Sequence, residues 1–167
     1  RKEDVLYLGS GVSAGLSTSV PGTIKHGLPA YTSVKALALA MGVSLSELRF
    51  LAYDRAVARI SHYQRFVTPK KTGGARRISA PMPRLKRAQY WILDNILAKA
   101  PLHDAAHGFV PQRSILTNAA AHVGKTVVVN FDLKDFFPTL DFRRVKGLFQ
   151  ALGYAEPVSI ALALLTT

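Results

Sequence analysis

Two aspartates stand where an apolar run ends. In VVVNFDLKDFFPTL, residues 127 to 140, three valines lead to Asp132, and Asp135 follows before Phe136, Phe137 and Pro138. Alternate residues of a β-strand share a face, so Val127, Val129 and Phe131 would face one way and Val128, Asn130 and Asp132 the other. Taken alone, Asp132 reads as a strand-end carboxylate that meets solvent, since lone carboxylates are mostly surface groups. Its setting in a strongly basic chain argues for more. Carboxylate oxygens and a backbone carbonyl such as that of Leu133 suit Mg²⁺, a hard cation that shares its coordination sphere with substrate phosphates. One aspartate does not make a two-metal site, so further acids would come from elsewhere. Asp135 and the backbone amides of Phe136 and Phe137 would lie in the following turn, facing a triphosphate. The bulk of Phe137 would then crowd a ribose 2′-hydroxyl and favour deoxynucleotides.

The charge distribution supplies the other half of such chemistry. Of the net +12, a surplus of +10 lies between Arg55 and Leu93, where ten Lys or Arg residues occur without one Asp or Glu. A solvated basic face is the plain account; a surface for nucleic acid or nucleotide phosphates is the functional one. The remaining composition narrows the class. Apolar residues make up 49% and charged residues 19% of 167, enough for a packed core and against wholesale disorder. No apolar run reaches the ~18 residues needed to cross a bilayer, and the start shows no leader of signal-peptide length. Cysteine is absent, which excludes disulfides and thiolate metal sites and fits a cytoplasmic protein. Five histidines without helical pairing give no zinc signature. His62, His103 and His107 read as surface or capping residues.

The elements that must position these groups follow from periodicity. Residues 1–30, rich in Gly, Ser, Thr and Pro, read as a linker or loosely packed extension. A helical region over 31–60 begins with Ser33 as cap, Val34, Leu37 and Met41 at helical spacing, and Gly42 as stop. Ser44 and Glu47 form a capping box for a second helix bearing Leu48, Leu51 and Ala52. QRFVTPKKTGGARRISAP reads as a hairpin whose two glycines permit positive φ. Pro83 opens a helix with Leu85, Ala88, Ile92 and Ile96 on one stripe. AAHGFVPQRS is expected to be extended, and Ser114 to cap a helix from Ile115 to His122 ended by Gly124. After the valine strand comes a helix carrying Val145, Leu148, Phe149 and Leu152, stopped by Gly153, and Pro157 starts another. Helix and strand mix without steady βαβ alternation, so the expected class is α+β. IALALLTT reads as mid-domain sequence, so the chain is expected to be a fragment.

Two motifs fail on spacing. AHVGKT ends like a phosphate-binding loop, but position 119 is Ala where that loop needs Gly, and the strand follows it instead of preceding it. LGSGVSAG has its last Gly one residue too late for a dinucleotide loop, and nothing acidic lies between Asp4 and Glu47 to meet a ribose. A third, ALAMGVSLSEL, has the small-residue and turn spacing of a helix-turn-helix, with Ala38, Gly42, Val43 and Leu48 in place. A packing αα-hairpin accounts for the same spacing; the rival function is a non-catalytic helix-turn-helix nucleic-acid-binding protein.

Three blocks carry a resemblance. FVTPKKTGGARRISAP, AAHGFVPQRSI and NFDLKDFFPTL resemble, in order and spacing, the fingers hairpin, the following block and the first palm motif of bacterial reverse transcriptases. NAAAH, Asn118 to His122, matches the Asn-Ala-x-x-His signature of the retron subclass. The resemblance runs from Leu48 onward. It implies a right-hand polymerase: fingers over 61–126 and the start of the palm over 127–167, after the helical N-terminal region. By this resemblance Asp132 is the first metal-binding, catalytic aspartate and Phe137 the sugar gate. Lys70 or Lys71, which the hairpin register does not distinguish, would neutralise the incoming triphosphate with Arg76. Arg77, Arg113 and Ser114 would approach nucleic acid. Asn118 and His122, four apart and so on one helix face, would either touch a structured RNA or brace their helix. The family implies a structured non-coding RNA template, an RNA–DNA product, dNTP substrates, two Mg²⁺ ions and an effector protein in antiphage defence. Its Tyr-x-Asp-Asp motif, source of the other metal-binding acids, does not occur in these 167 residues. The chain alone is therefore not expected to polymerise.

Overall fold

The computed structural model describes residues 23–53, 60–71, 73–134 and 136–167. They fall into two compact units: the described part of Arg1–Lys99 together with Asp141–Thr167, and Ala100–Leu140. Among the described residues there are six α-helices and one two-stranded sheet, which makes the chain α+β.

The first unit forms around one helix. Helices α1 (Val34–Ala40) and α2 (Leu45–Leu51) begin where Ser33 and Ser44 accept the amides of Ala36 and Glu47, each at 3.1 Å. Gly42, at φ +69°, turns the chain between them. Strands β1 (Tyr63–Pro69) and β2 (Ala75–Pro81) form the hairpin, and α3 (Pro83–Asn95) follows with Pro83 in its first turn. Helix α5 (Phe142–Ala151) starts at Asp141, whose carboxylate accepts the Arg144 amide at 2.9 Å. Helix α6 (Glu156–Thr166) packs against α1, α3 and α5. Its residues from Val158 to Ala163 and Leu165 are all buried, the pattern of a helix apolar on every side. Leu37, Leu48, Leu85, Ile92, Ile96 and Phe149 complete the core. Each large side chain so buried contributes roughly 1.5–3 kcal/mol.

The predicted stripes of α2 and α3 are buried, and in α1 Val34 and Leu37 are buried with Ala38, while Met41 is only half-buried. In α5 only Phe149 and the following Leu152 are buried, while Leu148 is 52% exposed. Residues 23–30 also depart from the loose extension expected of 1–30; the remainder of that stretch lies outside the described residues. Leu28 is buried, the Lys25 amide donates to Leu152 O at 3.1 Å, and the Tyr154 hydroxyl donates to Pro29 O at 2.9 Å. This strap passes directly over Gly153, at φ +101°.

The second unit buries none of its described residues. Among these described residues helix α4 (Ile115–Ala120) is the one α-helix, shorter than expected, and a 3-10 turn covers Phe137–Thr139. Two expectations fail here. Residues 105–114 are not extended but turned, with Phe109 and Gln112 at φ +60° and +64°. The valine run 127–130 forms no strand: Val127, Val128 and Val129 are 74%, 57% and 63% exposed. A strand is completed by ladder hydrogen bonds to a neighbour, and no described residue supplies that neighbour.

Two measurements check this packing. A Cβ at Gly153 would meet Thr23 O and lie 2.9 Å from Ile24 Cα, whereas one at Gly42 meets nothing. Gly153→Ala should thus cost about 2 kcal/mol or more, and Gly42→Ala about 1 kcal/mol, by denaturant unfolding. Burial, then the nearby Tyr31, push the Tyr154 hydroxyl up to about 12 from its ordinary 10. A raised folded value holds stability fully below the unfolded pKa and loses it above. Stability should fall between pH 10 and 12, and Tyr154→Phe should flatten that fall in pH-dependent unfolding.

Candidate functional site

The basic hairpin is the best defined of the candidate regions in the first unit. Its register pairs Tyr63 with Pro81, Phe66 with Ile78, Val67 with Arg77, Thr68 with Arg76 and Pro69 with Ala75. Directly paired residues share a face, so Arg76 lies with Phe66, Thr68 and Ile78, and Arg77 with Arg65 and Val67. The two adjacent arginines thus serve opposite faces of one ribbon. At the tip the Lys70 amide donates to Gly74 O at 3.0 Å and the Gly73 amide to Lys70 O at 3.1 Å. Gly73 and Gly74 sit at φ +88° and +85°, which closes a tight turn. Lys70, Lys71, Arg76 and Arg77 are all exposed. Lys70 ends the ladder and Lys71 stands in the turn, so both remain available to an anion.

The base of the hairpin is fixed more firmly than its tip. The Gln89 side-chain amide on α3 donates to the Tyr63 hydroxyl and to Leu165 O of α6, each at 2.9 Å. His62 Nε2 lies 2.8 Å from Phe50 O, and its ring meets Phe50 edge-on at 4.7 Å. These contacts bind the ribbon to α2, α3 and α6 while its charged end projects into water. The role of Gln89 had no local sequence signal, because its partners lie 26 and 76 residues away.

In the second unit, Asp132 is exposed in irregular chain and Leu133 is 68% exposed. Asp135 lies outside the described residues. Phe136 and Phe137 meet edge-on at 5.4 Å, and Phe137 keeps 70% of its surface exposed. The Thr139 hydroxyl donates to Phe136 O at 2.6 Å and fixes the turn. Among the described residues no group of three His, Cys, Asp or Glu could hold a metal. Asp132 is a hard-oxygen donor of the right chemistry, but it does not by itself make a coordination site.

The block before it is held together by Arg113. Its guanidinium donates to the carbonyls of His103, Asp104 and Ala106 at 2.8, 2.9 and 2.6 Å and pairs with the Asp104 carboxylate at 3.4 Å. The charge assigned to nucleic acid from sequence is engaged in shaping its own loop. Ser114 caps α4 by accepting the Thr117 amide, while Thr117 Oγ1 accepts the Ser114 amide at 2.8 Å. This reciprocal box was missed because its usual fourth residue is Glu or Gln. His107 Nδ1 lies 3.0 Å from the same hydroxyl, and His103 Nδ1 accepts the Ala105 amide, both local bracing roles. Asn118 and His122 are exposed but do not share a helix face. The helix ends at Ala120, and the His122 amide donates to Ala119 O, a three-residue step that rotates His122 away from Asn118.

Comparison with known proteins places these features. No protein-family model matches the chain. The retron Mx162 reverse transcriptase of Myxococcus xanthus is 51% identical over 142 residues, covering 85% of this chain and 29% of that protein. The retron Mx65 reverse transcriptase of the same organism is 48% identical over 143 residues, 86% of this chain and 34% of its own length. The retron Ec86 reverse transcriptase of Escherichia coli is 36% identical over 139 residues, 81% of this chain and 42% of that protein. These relatives are by name RNA-directed DNA polymerases, so a non-catalytic helix-turn-helix protein is not favoured. Leu48 and Leu51, buried in α2, also give that helix a packing role. The chain is a homologue of the retron reverse transcriptases, matched over most of its own length and spanning less than half of theirs.

Proposed function

We propose that the chain is the fingers and early palm of a retron-type reverse transcriptase. The observation that carries this reading is identity of 36–51% to retron reverse transcriptases over 81–86% of the chain. The parent protein would copy a structured non-coding RNA into DNA, giving the multicopy single-stranded product of such elements and serving antiphage defence with an effector protein. The reaction joins a 3′-hydroxyl, or at initiation an RNA 2′-hydroxyl, to a dNTP α-phosphate and releases pyrophosphate.

In this reading the chain contributes alignment and charge rather than covalent chemistry. Lys70 or Lys71 at the hairpin tip and Arg76 on one face would meet the triphosphate, and Arg77 on the other face would meet the template backbone. Opposite faces let one ribbon serve both anions without competition. Asp132, with the Leu133 carbonyl, would hold Mg²⁺ together with acids from elsewhere in the parent; the bound ion supplies Lewis-acid stabilisation. Asp135 and the Phe136 and Phe137 amides would line the nucleotide, and Phe137 would exclude a 2′-hydroxyl. Ser114, Asn118 and His122 would border the RNA, with Arg113 holding the loop that presents them.

Primer extension by the full-length parent tests both central assignments. Asp132→Asn should lower synthesis by roughly 10²-fold or more while RNA affinity changes little, and retained synthesis would remove the metal role. Phe137→Ala should let the enzyme incorporate ribonucleotides. An unchanged preference for deoxynucleotides in the same assay would dismiss the gate.

A further inference from the structure

A groove of about 350 Å³ opens in the first unit beside the α1–α2 turn, α3 and the last turn of α6. Its floor is apolar: Leu48, Ala88 and Leu165 are buried there. Trp91, half-buried, forms a wall, and its ring centroid lies 5.9 Å from that of Tyr31 in a tilted arrangement. Arg84, Arg87 and Glu47 stand at the rim. Arg84, Arg87 and Trp91 follow one another at steps of three and four on α3, so they form one stripe.

The rim charges are the informative part. Among the described residues neither Arg84, Arg87 nor Glu47 is held in an ion pair. Arg84 and Arg87 are exposed, so their charge is open to an external anion. Both belong to the stretch from Arg55 to Leu93 that contains no acid, a field complementary to phosphate. An indole wall over an aliphatic floor suits the π-face of a nucleobase. A carboxylate accepts only, so it suits the N–H groups on a base edge. The volume lies at the small end of ligand-sized clefts, too roomy for a lone anion on so apolar a floor.

We propose that this groove holds one unstacked nucleotide of an RNA strand, its base against Trp91, its phosphate at Arg84 and Arg87, and its N–H edge at Glu47. The site deepens the reading of the chain as part of an RNA-copying enzyme and rests on it. It would anchor the RNA on the face of α3 rather than at the hairpin tip. Strand contact there would therefore persist whether or not a dNTP is bound.

Trp91 is the one tryptophan of the chain, so its emission reports this groove alone. The 167-residue chain is titrated with a short single-stranded RNA carrying a dye, following Trp91 emission and dye anisotropy together. Quenching of Trp91 should share its midpoint with the anisotropy rise. The exposed pair Arg84→Gln and Arg87→Gln, and separately Trp91→Leu, should each weaken binding by about tenfold. Circular dichroism confirms that the variants remain folded. RNA binding with unchanged Trp91 emission and an unaffected double-arginine variant would overturn the groove while leaving the RNA reading intact. No RNA binding at low salt would overturn both. An emission change that grows with chain concentration in the absence of RNA would assign the groove to a second copy and overturn the nucleotide.

Discussion

Burial of α6 is the constraint on which the first unit depends. A helix apolar on nearly every side has no solvent face to offer, so it must be enclosed, and α1, α3 and α5 enclose it. The enclosure fixes α3, and α3 fixes the hairpin through Gln89, which satisfies the Leu165 carbonyl near the end of α6 and reaches Tyr63 in the same gesture. An orphan carbonyl at a helix end is costly to leave unmade. The position of the basic ribbon is thereby tied to the same packing that holds the core.

The ribbon in turn separates support from chemistry. Its base is packed and hydrogen-bonded, while the described residues of its tip carry turn bonds and cations. Strand alternation sends the consecutive Arg76 and Arg77 to opposite faces of the ribbon. Surface cations are cheap to keep exposed, and long-range attraction to phosphate does not require them to be pre-paired.

The second unit obeys a different balance. Its apolar residues, Val127 to Val129, Phe131 and Leu133 among them, are exposed, and its order comes from turns, caps and the carbonyls gathered by Arg113. An apolar run gains its burial energy only when another surface covers it. Asp132 is therefore held by sequence beside the residues that would seat it, without the sheet that would aim it.

Local chemistry determined much by itself. Ser33, Ser44 and Ser114 as caps, Gly42 and Gly73–Gly74 as turns, Pro83 as a helix start and the stripes of α1, α2 and α3 are readable because each rests on neighbours a few residues away. The charge block and the three reverse-transcriptase-like blocks are equally sequence properties. Tertiary structure alone decided the rest. The valine run has the composition of a strand, but a strand exists only with a partner. The local pattern marks Arg113 as a cation, and only the fold shows that three nearby carbonyls accept its guanidinium N–H groups. Residues 23–30 have the composition of a loose segment, but Gly153 leaves room for them to pack. The groove at Trp91 joins residues from Met41 to Leu165, a juxtaposition that no local pattern encodes, because it arises only when α6 is buried.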